Sequence, residues 1–211
     1  MKDRLRNIKT SFLFGPAALC MIIFLLDQIS KIATVATKPM PFDSVYTSHN
    51  EQPIFIAGET LHIVFRNVFH LVDFRNPGAA WGIFGEHTPV LAIISLLAFL
   101  YLLYDFHALC GQSKFKRYTI ALLMGGIIGN FIDRGFREGG VVDMFQVYIP
   151  VPQFASEWVN GIYYIDGIYR YIFPAFNIAD SAICVATASL LIASFFIKDE
   201  EEASESLESK N

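Results

Sequence analysis

Asp143 and Asp180 are the residues whose type and setting best suit a hydrolytic reaction. Asp143 follows two valines, and Asp180 stands at the head of an apolar run, in Phe176-Asn-Ile-Ala-Asp180. Two carboxyl groups brought close together share one proton, because like charges at short range do not both ionise. One can then activate water while the other polarises a peptide carbonyl, which is aspartic-peptidase chemistry with neither metal nor covalent intermediate. For Asp180 a plainer role stays open. A carboxylate in the first turn of a helix compensates the dipole, with Asn177 as the cap.

Other polar residues fall at helical spacings. Asp27 and Lys31, in Asp27-Gln-Ile-Ser-Lys31, are four apart and share a helix face, as an ordinary ion pair or as organisers of a site. Asn130 and Arg134 share a face at the same spacing, with Asp133 beside Arg134. They could brace a neighbouring carboxylate or bind a carbonyl or phosphate. Gly125 and Gly129 form a small-xxx-small pair that favours close helix packing. Asn76 begins Asn76-Pro-Gly-Ala-Ala-Trp81, between two apolar stretches.

Competing chemistries are poorly served. None of His49, His62, His70, His87 and His107 makes an HExxH pair, and GxSxG, a P-loop and a dinucleotide fingerprint are all absent. Ser30 adjoins Lys31 and so points elsewhere on the helix, and Ser113 is expected on the opposite side from the other polar groups. Cys20, Cys110 and Cys184 lie in or beside separate apolar blocks and lack metal-ligand spacing, so no disulfide frame or zinc site is expected.

The elements that must position these groups are apolar. Of 211 residues 54% are hydrophobic and only 17% charged, with a mean hydropathy of +0.42. Too few charges remain to cover a water-facing globule, so the chain reads as an integral membrane protein. A net charge of −4 gives no support for nucleic-acid binding. Thr10–Leu26, Thr88–Tyr104, Tyr118–Ile132 and Ser181–Ile197 are free of charge, at 15 to 17 residues each. Extension by about a turn brings each to the roughly 20 residues that cross a bilayer.

The expected fold is therefore an all-α membrane protein of four transmembrane helices with a small extracytoplasmic β-element. Residues 1–198 would form one polytopic domain, with spans at about 12–34, 88–110, 118–134 and 177–197 and outer loops at 35–87 and 135–176. Residues 199–211 would form an acidic, disordered cytoplasmic tail. Lys2, Arg4, Arg6 and Lys9 before the first block, and Lys114, Lys116 and Arg117 between the second and third, predict both termini inside. Asp27 and Lys31, lying before the nearest small-residue cleavage candidate, argue against reading the first block as a cleaved signal peptide. β-Branched and aromatic runs around a Gly58–Glu59 turn predict strands over Pro53–Asn67, with Leu71–Phe74 following. Trp158, Tyr163, Tyr164, Tyr169 and Tyr171 suit the headgroup region. This topology puts all the polar motifs at the outer leaflet, and convergence at one depth implies a shared site.

DQISK at 27–31, NPGAAW at 76–81, GGIIGNFIDR at 125–134, VVDMF at 141–145 and FNIAD at 176–180 together resemble the motifs of bacterial lipoprotein signal peptidase, or signal peptidase II. Their order agrees from about residue 12 to 197. The resemblance implies a membrane aspartic endopeptidase that needs no cofactor and no oligomer. It would cut prolipoproteins just before a diacylglyceryl-modified cysteine, at the outer face of the bacterial cytoplasmic (inner) membrane. By motif, Asp143 and Asp180 would be the catalytic pair. Asp27, Lys31, Asn76, Gly126, Asn130, Arg134, Asn177 and Ala179 fall on supporting or substrate-contacting positions, and Asp133 on a structural one. Trp81 and Met144 each stand where the family usually has Phe, and the segments Ala36–His62 and Ile149–Ala175 are longer than usual. Two other readings are a small ion-coupled transporter, in which Asp27, Lys31 and Asp180 carry charge, and a noncatalytic membrane scaffold.

Overall fold

The computed structural model describes residues 14–37, 59–65, 67–78, 88–111, 113–165 and 167–208. Five helices are described: α1 (Gly15–Ala36), α2 (Thr88–Tyr104), α3 (Phe106–Cys110), α4 (Lys114–Phe136) and α5 (Ile178–Glu208). Five strands accompany them: β1 (Glu59–Phe65), β2 (Phe69–Asn76), β3 (Val141–Pro150), β4 (Ile162–Ile165) and β5 (Ile168–Ile172). They form one antiparallel sheet in the order β1-β2-β3-β5-β4. The chain divides into a helical unit (Met1–Leu25, Ile94–Gly129, Ile178–Asn211) and a sheet unit (Leu26–Ile93, Asn130–Asn177).

The expectation of an all-α, four-span protein is corrected by the sheet and by the helices themselves. Five strands are far more than a small appendage. Among the described residues, only α1 and the Ile178–Phe195 part of α5 are both long and apolar enough to cross a membrane. Helix α2 is apolar but stops after 17 residues at Asp105, where the backbone turns before α3. Helix α4 has the length, at 23 residues, but carries Lys114, Lys116 and Arg117 at one end and Asn130, Asp133 and Arg134 at the other. Polar groups placed for chemistry dilute its hydropathy. Helix α5 also runs on to Glu208, through the acidic stretch expected to be disordered.

Within the helical unit, Phe106, Cys110, Ile120 and Met124 form a buried cluster, against which Cys20, Phe99, Leu102 and Leu190 pack. Leu97, Leu100, Val185, Leu191 and Phe195 point outward and remain exposed, as helices solvated by lipid require. Gly125 and Gly126 let backbones meet. A Cβ on Gly125 would lie 2.8 Å from the Cys20 carbonyl oxygen on α1, and one on Gly126 would lie 2.5 Å from that of Ala179 on α5. Close packing is thus the role of Gly125 and Gly126 in the glycine-rich stretch.

In the sheet unit, β1 and β2 form a hairpin that turns at Asn67, whose φ of +55° suits Asn better than a branched residue. The turn was expected at Gly58–Glu59. Glu59 instead opens β1, and Pro53–Gly58 lies outside the described residues, as does Trp81. Strand β3 is the hub. It pairs with β2 from Phe69↔Val147 to Asn76↔Val141 and with β5 from Tyr148↔Ile172 to Pro150↔Arg170. Asp143 was expected in an outer loop. It lies within β3 instead, because Val141-Val-Asp-Met-Phe145 is a short apolar run, buried over its first four residues.

Candidate active site

Three pieces of backbone fix the surroundings of Asp143. Its own strand is tied to β2, with Phe74 opposite Asp143 and Asn76 opposite Val141, so Asn76 shares the Asp143 face. The second piece is Phe176, which bridges to Phe145. Phe176 N–H donates to the Phe145 carbonyl at 3.0 Å, and the Phe145 N–H donates back to the Phe176 carbonyl at 2.9 Å. This brings Asn177 beside Asp143. The third piece is the turn from α4 into β3, where Gly139 and Gly140 have φ of +82° and +86°. A Cβ on Gly140 would collide with the Asn76 carbonyl oxygen, so only glycine lets the two segments close up.

Asp143 is 1% exposed, and each of its carboxylate oxygens accepts from an amide. Asn177 Nδ2 donates to Oδ1 at 2.7 Å, and Asn76 Nδ2 donates to Oδ2 at 3.1 Å. Asn76 is itself oriented: its Oδ1 accepts from the Gly78 N–H at 3.1 Å, closing an Asx turn over Pro77. The Asn76-Pro-Gly sequence therefore presents an NH2 group to the carboxylate. These two donors fix the carboxylate plane.

Behind Asn177 the polar chain continues inward. Asn130 Oδ1 accepts from Asn177 Nδ2 at 3.3 Å and from the Lys31 ammonium at 3.1 Å. Lys31 is fully buried and ion-paired at 2.7 Å with both Asp27 and Asp133, which are also fully buried. One cation between two carboxylates leaves a net negative charge, and Arg137 offsets it through a 3.0 Å pair with Asp133. Buried ions cost several kcal/mol each unless paired, so this neutral arrangement of two acids and two bases is what permits the burial. Gln28 completes it. Its Nε2 donates to Asp27 and Asp133 at 3.1 and 3.3 Å, and its Oε1 accepts from Arg137 at 3.3 Å. Asp133 also accepts from the Val142 N–H at 3.4 Å, which ties the network to the residue before Asp143.

The structure thus joins Asp27, Lys31, Asn76, Asn130, Asp143 and Asn177 in one hydrogen-bonded cluster within the sheet unit. Gly126 and Ala179 meet elsewhere, at the α4–α5 packing contact in the helical unit. Asp180 lies in the first turn of α5, three residues beyond Asn177, and is half-buried; Arg134 is half-buried in the last turn of α4. Asp133 was expected on a structural position, and the structure makes it the counter-ion of Lys31. Gln28 and Arg137 were not singled out from sequence. Arg137 lies four residues after Asp133, a spacing that would have pointed to it. Among the described residues no group of three His, Cys, Asp or Glu side chains could hold a metal ion, and the space between Asp27 and Asp133 is filled by the Lys31 ammonium.

The family model described as signal peptidase (SPase) II matches residues 19–196. A solved structure described as a bacterial membrane enzyme is similar at a TM-score of 0.65 and 26% identity, over 90% of this chain and 92% of that one. A second with the same description gives a TM-score of 0.61 at 26% identity, over 86% of this chain and 93% of the other.

Proposed function

Because this chain belongs to the signal peptidase II family, we propose that it removes the signal peptide from prolipoproteins whose cysteine already carries a diacylglyceryl group, cutting just before that cysteine. The chain is an aspartic peptidase and a membrane enzyme by that membership. In the proposed reaction Asp143 and Asp180 are the acid pair, one ionised and one protonated. The ionised carboxylate takes a proton from water as its oxygen attacks the scissile carbonyl, and the protonated partner gives its proton to the carbonyl oxygen. Collapse of the tetrahedral intermediate returns a proton to the departing amine and leaves the pair sharing one proton again.

The observation that carries this reading is the setting of Asp143. It is a buried carboxylate held on both oxygens by Asn76 and Asn177, so that residues of three of the five family-like motifs meet. In this scheme Lys31 acts at a distance: by occupying Asn130 Oδ1 it orients the Asn130 amide, and Asn130 and Asp143 together orient Asn177. Gly126 and Ala179 set where α5 begins, and with it Asp180. Arg134 is assigned to the substrate side on its motif alone. The basic residues before α1 and at the start of α4 support a multi-pass protein of the bacterial inner membrane with its site at the outer face.

The test uses purified protein, a diacylglyceryl-modified prolipoprotein and its unlipidated form. Only the lipidated form should lose its signal peptide, and Asp143→Asn and Asp180→Asn should each lower the rate by about 10²–10⁴-fold or more. Normal processing by either variant would end the assignment of the pair.

A further inference from the structure

Residues 151–173 form an arm that the peptidase reading leaves unused. The arm leaves β3 at Pro150, makes a short 3₁₀ turn at Gln153–Glu157, and returns through the β4–β5 hairpin. It is well braced. Four residue pairs join β4 to β5, the Tyr164 and Tyr169 rings lie 4.9 Å apart, and the Ile172 N–H donates to the Gly161 carbonyl at 2.9 Å. Between β4 and β5 lies Gly167, at φ +82°.

This braced arm turns its large side chains outward. Trp158 is 83% exposed, Phe154 66% and Tyr164 51%, and Val159, Ile168 and Phe173 are exposed as well. Only Glu157, Asp166 and Arg170 are charged among its 23 residues. An arm meant for water would not hold this many aromatic rings so open with so little charge. The residue types narrow the occupant. Trp and Tyr carry an apolar body and a polar tip, and they collect at the headgroup level of bilayers. The same unit contains the Leu26–Ala36 end of a bilayer-length helix, on which Ile29, Ile32 and Val35 form an exposed apolar row. A lipid surface is therefore the partner this unit already has.

We propose that the 151–173 arm is a lipid-interface foot, seating Phe154, Trp158 and Tyr164 among the headgroups of the bilayer in which the chain is embedded. The inference does not depend on the acid pair or on peptidase activity. Trp158 is one of two tryptophans, so Trp81→Phe leaves it as the sole reporter. The full chain, in phosphatidylcholine–phosphatidylglycerol vesicles, should show blue-shifted Trp158 emission and weak acrylamide quenching. A nitroxide-labelled lipid carrying its label just below the headgroup should quench more than one labelled at the bilayer centre. If Trp81→Phe fails to fold, the difference between the unmodified chain and Trp158→Phe gives the same signal. Free access to acrylamide without quenching by either lipid would overturn the proposal, as would strongest quenching from the centre label. So would protection that rises with the protein-to-lipid ratio, the mark of a second copy on the arm.

Discussion

The helical unit and the sheet unit bury different things. Among the described residues, Thr119 is the one buried polar side chain of the helical unit, whereas the sheet unit buries Asp27, Lys31, Asn130, Asp133, Asp143 and Asn177. The helical unit gains cohesion from backbones brought close at Gly125 and Gly126 and from a small apolar cluster. In lipid, burying apolar surface between helices gains little, so close packing carries the association. The sheet unit instead pairs Lys31 and Arg137 with Asp27 and Asp133. A failure in the first removes contacts, and a failure in the second leaves an ion without a partner.

The largest expected effect follows from that asymmetry. Lys31→Met keeps the length of the side chain but removes the ammonium that pairs with both Asp27 and Asp133, while the Arg137–Asp133 pair stays. Breaking a buried pair by removing one partner costs about 3–5 kcal/mol. The variant should unfold at much lower temperature in detergent, and Lys31→Met combined with Asp27→Asn and Asp133→Asn should recover part of the loss. If the single variant is as stable as the parent, charge balance is not what holds this unit together.

His70 tests the sheet unit at a second point, where a buried polar group is not paired. It is buried on β2, its ring lies 4.6 Å from that of Tyr148, and neither ring nitrogen has a hydrogen-bond partner. Burial without a partner penalises the charged form and lowers its pKa from 6.5 to about 4. Because the unfolded chain takes up the proton first, stability is fully present above the unfolded value and falls as pH drops through the window from 6.5 to about 4. The loss amounts to at most roughly 3 kcal/mol. His70→Phe, which keeps a ring against Tyr148, should flatten the dependence of the unfolding midpoint on pH over that window. An unchanged slope would show that other groups carry the acid sensitivity.

These contrasts explain which parts could be read from sequence. Asp27 with Lys31 and Asn130 with Arg134 were visible because helical spacing is fixed, and α1 was visible because nothing polar interrupts it before Asp27. Asn177 was read as a cap, whereas its contact with Asp143 depends on the Phe145–Phe176 bridge, a pairing between strangers in sequence that no local pattern encodes. Strand β3 was missed as the hub because a short apolar run looks the same in a loop, a strand or a helix end. Helix α4 was read as the third span from its apolar middle, although the charges that serve the site sit at its end. Gln28 and Arg137 went unnoticed because their role is to balance a charge whose burial only the fold reveals.

The smallest expected effect belongs to the helical unit and sharpens the contrast most. Gly126→Ala adds one methyl, with its carbon 2.5 Å from the Ala179 carbonyl oxygen and 2.8 Å from Ile183 Cγ1. Backbone on one side and a branched side chain on the other leave little to give, so α5 must move, at about 1–3 kcal/mol. No charge is uncovered, and the Lys31 network stays whole. Stability should therefore fall modestly, and its loss should add to that of Lys31→Met within about 0.5 kcal/mol, as independent sites do. Activity should fall further than stability, since the displaced residue, Ala179, immediately precedes Asp180. A strong departure from additivity in the double variant would mean that the two units share their energetics, and the contrast between lipid-style packing and charge pairing would have to be given up.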